Sequence, residues 1–351
     1  MIVLYGSPGR PMSSETHFEA KRLLGTSIRD LGLTIEGTDL EPLVNAFEQE
    51  LQRAGIERLK PRFYLSDEWG VPFETISIGI PFYLARADLT ALHAERAGHL
   101  EGAGPADFLR YLRHEMGHVV NYAYRLYEQP DWVAQFGAMT QPYLEEYHPE
   151  PFSRRFVRHL PGWYAQKHPD EDWAETFAVW LTPGHDWRAD YAAFPVALAK
   201  LQFCQITMDA LRSLDPVVVA TERDDDVSQL EDLLAAHYDE EPDVEPLPPG
   251  LDGALRSIFE DASLDDAAGS VVRLPAHGLI LLMEADLVAN VFRWTGHFPD
   301  RTRRLLKHLA ERAQALNLVY LVEHEIATTI AITTLVTALA MNHVHRGTYS
   351  S

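Results

Sequence analysis

The run Phe108-Leu109-Arg110-Tyr111-Leu112-Arg113-His114-Glu115-Met116-Gly117-His118-Val119-Val120-Asn121-Tyr122 constrains this chain more than any other stretch. Phe108, Leu112, Met116, Val119 and Ala123 recur at three- and four-residue steps, which predicts an amphipathic helix with one buried face. His114 and His118 stand four apart, one above the other on that helix. Two imidazoles so placed can hold one zinc ion, and Glu115 between them can reach a water at the open coordination position. The pattern is H-E-x-x-H, here HEMGH.

A five-residue pattern arises by chance, so its context must supply a third ligand on a later helix. His168-Pro169-Asp170-Glu171-Asp172-Trp173-Ala174-Glu175-Thr176-Phe177-Ala178-Val179-Trp180-Leu181 offers one, since a helical pattern begins just past a proline. Ala174, Phe177, Ala178 and Leu181 form its expected buried stripe. Glu171 and Glu175 are four apart and share a face. One would complete the metal site, and the other would hold a ligand histidine in its tautomer. Periodicity does not choose between them.

HEMGH followed by EDWAETFA resembles the gluzincin metallopeptidases, most closely the bacterial "putative zinc-binding metallopeptidase" family. Gly162 to Pro183 carries most of the likeness, which spans roughly residues 40 to 205. The resemblance implies Glu171 as third ligand, the first Glu of E-x-x-A-E, with Glu175 behind a ligand histidine. It also implies an oxyanion-holding tyrosine seven residues before the ligand, an offset that Tyr164 occupies. An edge strand before the metal helix would bind extended substrate by strand addition, and Ile76-Ser77-Ile78-Gly79-Ile80 is the candidate.

A formal net charge of -22 argues against phosphate-backbone binding, which needs a basic surface. The single cysteine, Cys204, excludes an intrachain disulfide and reads as a buried thiol. The first ten residues lack a basic n-region, and their apolar run is too short for a signal peptide. Ile326 to Met341 is short for a membrane span and reads as a buried helix. A cytoplasmic protein with no membrane partner is expected.

In chain order, Gly6-Ser7-Pro8-Gly9 is turn chemistry without a phosphate-loop ending. Leu40 to Ala54 is helix-periodic; Arg62–Leu65 and Thr75–Ile80 read as strands around a Trp69–Pro72 loop. Aromatic residues crowd the segment between the metal helices, including Trp132, Phe136, Tyr143, Tyr147 and Trp163, and should wrap the site. His148, His159 and His168 lie nearby, with His168 expected to be partly exposed. From Glu222 to Glu245 eleven acidic residues face one arginine, and prolines follow. That composition predicts a linker, with a short helix at Val227–His237. Helices are expected at 251–261, 278–294, 301–316 and 318–343, forming a bundle or hairpin. His343 and His345 are expected at the surface.

The expectation is therefore an α+β fold. A zincin-like catalytic domain, with a small sheet and the two metal helices, fills residues 1–220. A linker at 221–250 leads to an all-α domain at 251–351 that binds a protein partner. Zn2+ is the expected cofactor and a peptide or protein the substrate, with Glu115 as base. The alternatives are a zinc- and peptide-binding regulatory module without turnover, and a hydrolase of a non-peptide amide.

Overall fold

The computed structural model describes residues 21–97, 100–144, 147, 149, 150, 152–238, 251–262 and 272–349. Gly6–Gly9, His148 and residues 239–250 of the expected linker lie outside the described residues. The chain separates into two compact units, Ser27–Leu233 and a second made of Leu234–Ser351 with Met1–Thr26. It is a helix-rich α+β protein with small sheets.

In the Ser27–Leu233 unit, helix α1 is Leu40–Arg53, followed by β1 (Arg62–Ser66) and β2 (Ser77–Pro81). The two strands pair in parallel, Arg62 opposite Ser77 and Ser66 opposite Pro81. Then come α2 (Ala87–Arg96), α3 (Pro105–Ala123), α4 (Pro130–Phe136), α5 (Pro169–Leu181) and α6 (Pro195–Leu211). Pro105 opens α3 at a position where its missing N–H costs nothing. The Glu50 carboxylate of α1 accepts two hydrogen bonds from Arg113 of α3, at 2.9 and 3.0 Å, and fastens the two helices.

The crossing of α3 and α5 organises this unit. A Cβ built on Gly117 would lie 2.6 Å from the Cα of Ala174, so only glycine allows this approach. The Trp173 indole N–H donates to the Gly117 carbonyl at 2.8 Å and locks the crossing. Of α5 only Trp180 escapes full burial, so this helix is hidden on all sides rather than along one stripe. Four carboxylates are buried with it, and burying charge is tolerable only when each is paired. Asp172 is paired with Lys200 of α6, while Asp170, Glu171 and Glu175 turn toward α3.

Residues 221–233 of the expected linker lie within this unit. The Val227 N–H donates to the Leu65 carbonyl at 3.1 Å, and the Ile28 N–H to Asp232 at 3.0 Å. Among the described residues, helix starts here at Leu234 rather than at Val227 and is described to Tyr238. The Asp226 side chain accepts the N–H and hydroxyl of Ser228, a local turn that competes with helix.

In the second unit, α7 (Leu251–Ile258), α8 (Ala276–Leu282), α9 (Glu284–Thr295), α10 (Pro299–Ala315) and α11 (Glu325–Arg346) surround a core that includes Leu255, Ile280, Leu305, Leu309, Ile332 and Val336. The unit is not all-α. Strands β3 (Glu260–Asp261), β4 (Arg273–Pro275) and β5 (Leu318–Leu321) form an antiparallel sheet with β5 central. The expected helix from Leu318 begins instead at Glu325. Leu318-Val319-Tyr320-Leu321 suits a strand, with Leu318 and Tyr320 buried on alternate positions. Asn317 precedes it in the left-handed region, at φ 53°, and breaks the helical run.

Helix α11 also departs from the buried reading. Ile326 is 79% exposed and Ile330 61%. With the turn before it, Val322–Arg346 is by length and composition alone the one helix among the described residues able to cross a membrane. His343 is buried against His297 and Tyr349 rather than at the surface, because α11 presents it to the α9–α10 junction.

Candidate metal centre

Where α3 crosses α5, side chains that were far apart in sequence meet. Nε2 of His114 is 3.0 Å from Oε2 of Glu171, Nε2 of His118 is 3.4 Å from the same oxygen, and the two Nε2 atoms are 3.2 Å apart. Ligand bonds of 2.0–2.1 Å at a tetrahedral angle place donor atoms about 3.3 Å apart, so these separations fit a zinc ion. His114, His118 and Glu171 form the one such group of ligand atoms among the described residues. All three are buried, and the donor set of two imidazoles and a carboxylate suits zinc and leaves room for a fourth ligand.

The opposite ring nitrogens are also held. Nδ1 of His114 lies 2.9 Å from Oε1 of Glu175, and Nδ1 of His118 lies 3.0 Å from Oδ2 of Asp170. Carboxylates there keep the proton on Nδ1 and leave Nε2 free to ligate. Glu175 also accepts the backbone N–H groups of His159 and Leu160, at 2.9 and 3.0 Å. Asp170 accepts from the Asn121 amide at 2.7 Å and the Tyr122 hydroxyl at 2.5 Å. Each histidine thus has its own carboxylate, and each carboxylate its own set of donors.

Electrostatics follow burial and these partners. Burial disfavours a charged His114, but the Glu171 and Glu175 hydrogen bonds outweigh it and hold the imidazole up to about 9. His118 is likewise raised, with Asp170 and Glu171 opposing burial. Burial pushes Glu115 up to about 6, even though His114 and His118 act to lower it. His159 goes the other way: burial takes it down to about 4, and its Nε2 lies 2.9 Å from the Arg110 carbonyl.

A cavity of about 410 Å³ opens onto the ligand atoms. Glu115, Tyr122, Tyr143, Tyr164 and Lys167 line it, together with Glu68–Val71. Tyr164 rests its ring 5.5 Å from that of His114, and its hydroxyl is 3.4 Å from that of Tyr143. Tyr143 donates to Oε1 of Glu171 at 2.7 Å. The backbone before Tyr164 is unusual, because Gly162 and Trp163 both sit at positive φ, 82° and 62°. A tryptophan there is strained, and Arg158 stacked 3.7 Å over its ring helps to hold it.

Ile76–Ile80 does not line this cavity. Strand β2 is buried throughout, and the Gly79 N–H donates to the Gly70 carbonyl at 2.8 Å. Gly70 forms an antiparallel bridge with Gly79, so the loop covers the edge that substrate was expected to meet. Glu68–Val71 line the cavity instead, together with the candidate ligands His114, His118 and Glu171. His168 is buried, not partly exposed. Its Nδ1 accepts the Asp170 N–H at 3.2 Å, which caps α5, and its Nε2 meets the Gln141 carbonyl at 3.1 Å. Asp170, Gly117 and Lys167 were not singled out from sequence, and Tyr143 was named only as one of the aromatics expected to wrap the site. Asp170 alone carried a local signal, as an acidic residue in the first turn of a helix already suspected of facing the metal.

Residues 104–221 match the model of a family described as "Putative zinc-binding metallo-peptidase". The matched stretch contains α3, α5 and all the ligand candidates, and the family is the one that HEMGH and EDWAETFA resemble. No curated protein matches the chain. No solved structure matches it either.

Proposed function

Taking residues 104–221 as a segment of that metallo-peptidase family, we propose that the chain is a zinc-dependent peptidase of the gluzincin type, cutting peptide bonds with water activated by Glu115. One observation carries this reading: the ligand atoms of His114, His118 and Glu171 converge in a cavity that Glu115 also lines. Bound there, zinc supplies Lewis acidity and makes the water it coordinates more acidic.

The chain's own groups do the rest. Burial raises the Glu115 carboxyl above the ordinary carboxylate range, which favours its taking up and returning a proton. Glu115 takes a proton from water and delivers it to the leaving amine. Tyr164, with its pKa raised by burial, keeps its proton and can donate a hydrogen bond to the developing oxyanion. Asp170 and Glu175 keep both histidines in the ligating tautomer. A zinc- and peptide-binding module without turnover would have no use for a buried carboxyl in Glu115's place.

Metal analysis of the purified full-length protein, with peptide cleavage before and after chelation, tests the proposal. About one zinc per chain and cleavage that chelation abolishes are expected. Cleavage that survives complete metal removal would overturn it.

A further inference from the structure

Lys167 gives the metal cavity a charge that the hydrolytic chemistry does not use. It directly follows the turn Pro161–Gln166, and its N–H donates to the Tyr164 carbonyl at 3.0 Å. The turn that positions Tyr164 therefore positions Lys167 as well. Its Nζ lies 4.3 Å from the centroid of the Tyr143 ring and 5.3 Å from that of Tyr164. Both rings attract the ammonium and hold its long side chain in place. Among the described residues Lys167 forms no ion pair, although four carboxylates line the same cavity. Glu171 and Asp170 are already engaged by histidines and tyrosines. Lys167 is the one lysine or arginine among the described lining residues. In a chain of net charge -22, this lone cation is the cavity's natural partner for a negatively charged group of the substrate.

We propose that Lys167 receives a carboxylate of the substrate, so that peptides with a free C-terminus or an acidic side chain near the cut bond are preferred. This rests on the peptidase reading. Followed through the Tyr143 ring, Nζ is no more than about 10 Å from the Glu171 carboxylate, two to three residues of extended chain. The recognised carboxylate therefore belongs within about three residues of the scissile bond. Partial desolvation by two aromatic rings strengthens such a contact relative to an open surface.

Two sets of matched peptides, given to the zinc-loaded full-length protein, distinguish the sources. One set differs only in a free or amidated C-terminus. The other is amidated throughout and differs by Asp or Glu against Asn or Gln within three residues of the cut. We expect kcat/KM to favour the carboxylate member of at least one set by about tenfold. Lys167→Met should erase that preference, and Lys167→Glu should reverse it toward the amidated or Asn- and Gln-bearing members, which a merely damaged fold would not do. Binding of two hydroxamate-capped peptides, one ending in a free acid and one in an amide, is read beside cleavage and follows the same order. Equal binding and equal cleavage of acid and amide forms would overturn the Lys167 assignment and leave the peptidase reading standing. Failure of both hydroxamates to bind, with no peptide cleaved, would overturn both.

Discussion

Each unit of this chain contains a pair of buried histidines in nearly the same mutual geometry. His114 and His118 have ring centroids 5.0 Å apart at 75°, and His297 and His343 have theirs 5.0 Å apart at 86°. What surrounds them differs. The first pair faces Glu171, Glu175 and Asp170, and its free nitrogens converge. In the second pair, Nδ1 of His297 lies 2.7 Å from the Thr302 hydroxyl, and Nε2 lies 2.9 Å from that of Tyr349. Burial, helped by His343, Arg301 and Arg304, pushes His297 down to about 3, whereas His114 is held up near 9. Ring geometry and burial therefore do not make a metal site. Carboxylates on the outer nitrogens and an open point between the inner ones do.

Removing a ligand should break the comparison most completely. His118→Ala is expected to lose both zinc and peptide cleavage, while His297→Gln keeps about one zinc per chain and cleaves as before. Elemental analysis of the two variants decides, and zinc retained in His118→Ala would refute the assignment. Glu115→Gln should come next. It keeps the metal, because Glu115 is no ligand, and slows cleavage by about 10²–10⁴-fold, since the amide cannot accept a proton. Cleavage close to the original rate would put the base elsewhere.

Acid should sharpen the comparison from the other side. An unfolded His297 has a pKa near 6.5 and the folded one about 3. Between those values the unfolded state binds the extra proton, so stability falls as pH falls through the window. The slope is about 1.4 kcal/mol per pH unit, or about 2 kcal/mol between pH 6.5 and 5. Hydrogen-exchange protection of α10 in the full chain, corrected for the intrinsic rate, should drop over that range. His297→Gln should flatten the drop, and an unchanged pH slope would exclude His297 as its cause.

Sequence made one half of the candidate metal site plain and concealed the other. HEMGH and the Pro169 helix start are local patterns, so α3 and α5 were legible in type and nearly in extent. The pairing of Asp170 with His118 is not local. It depends on a crossing so close that a Cβ on Gly117 would meet Ala174, a distance no periodicity encodes. Tyr143 was legible as an aromatic near the site, but its bond to Glu171 was not: it comes from an irregular segment and reaches Glu171 only after the chain has folded back. Strand β5 was misread because LVYL lies between helical patterns and is too short to declare its own period. His343 looked like a surface residue near the C-terminus, and only the packing of α11 buries it.

The smallest predicted effect tests the outer carboxylates against the inner one. Glu171 puts Oε2 against both Nε2 atoms, whereas the nearest oxygens of Glu175 and Asp170 meet Nδ1 atoms on the far sides of the rings. Glu171→Ala should therefore lose most of the bound zinc. Asp170→Asn and Glu175→Gln should keep it, each weakened by about 10–100-fold. An amide has only one oxygen: in Asp170→Asn its NH2 end must face either the Asn121 donor or the His118 and Tyr122 donors. The same conflict arises in Glu175→Gln between His114 and the N–H groups of His159 and Leu160. Titration of each variant against a competing chelator gives the order. Tight zinc in Glu171→Ala beside an empty Glu175→Gln would exchange their roles, and would also remove the seven-residue offset on which Tyr164 was first chosen.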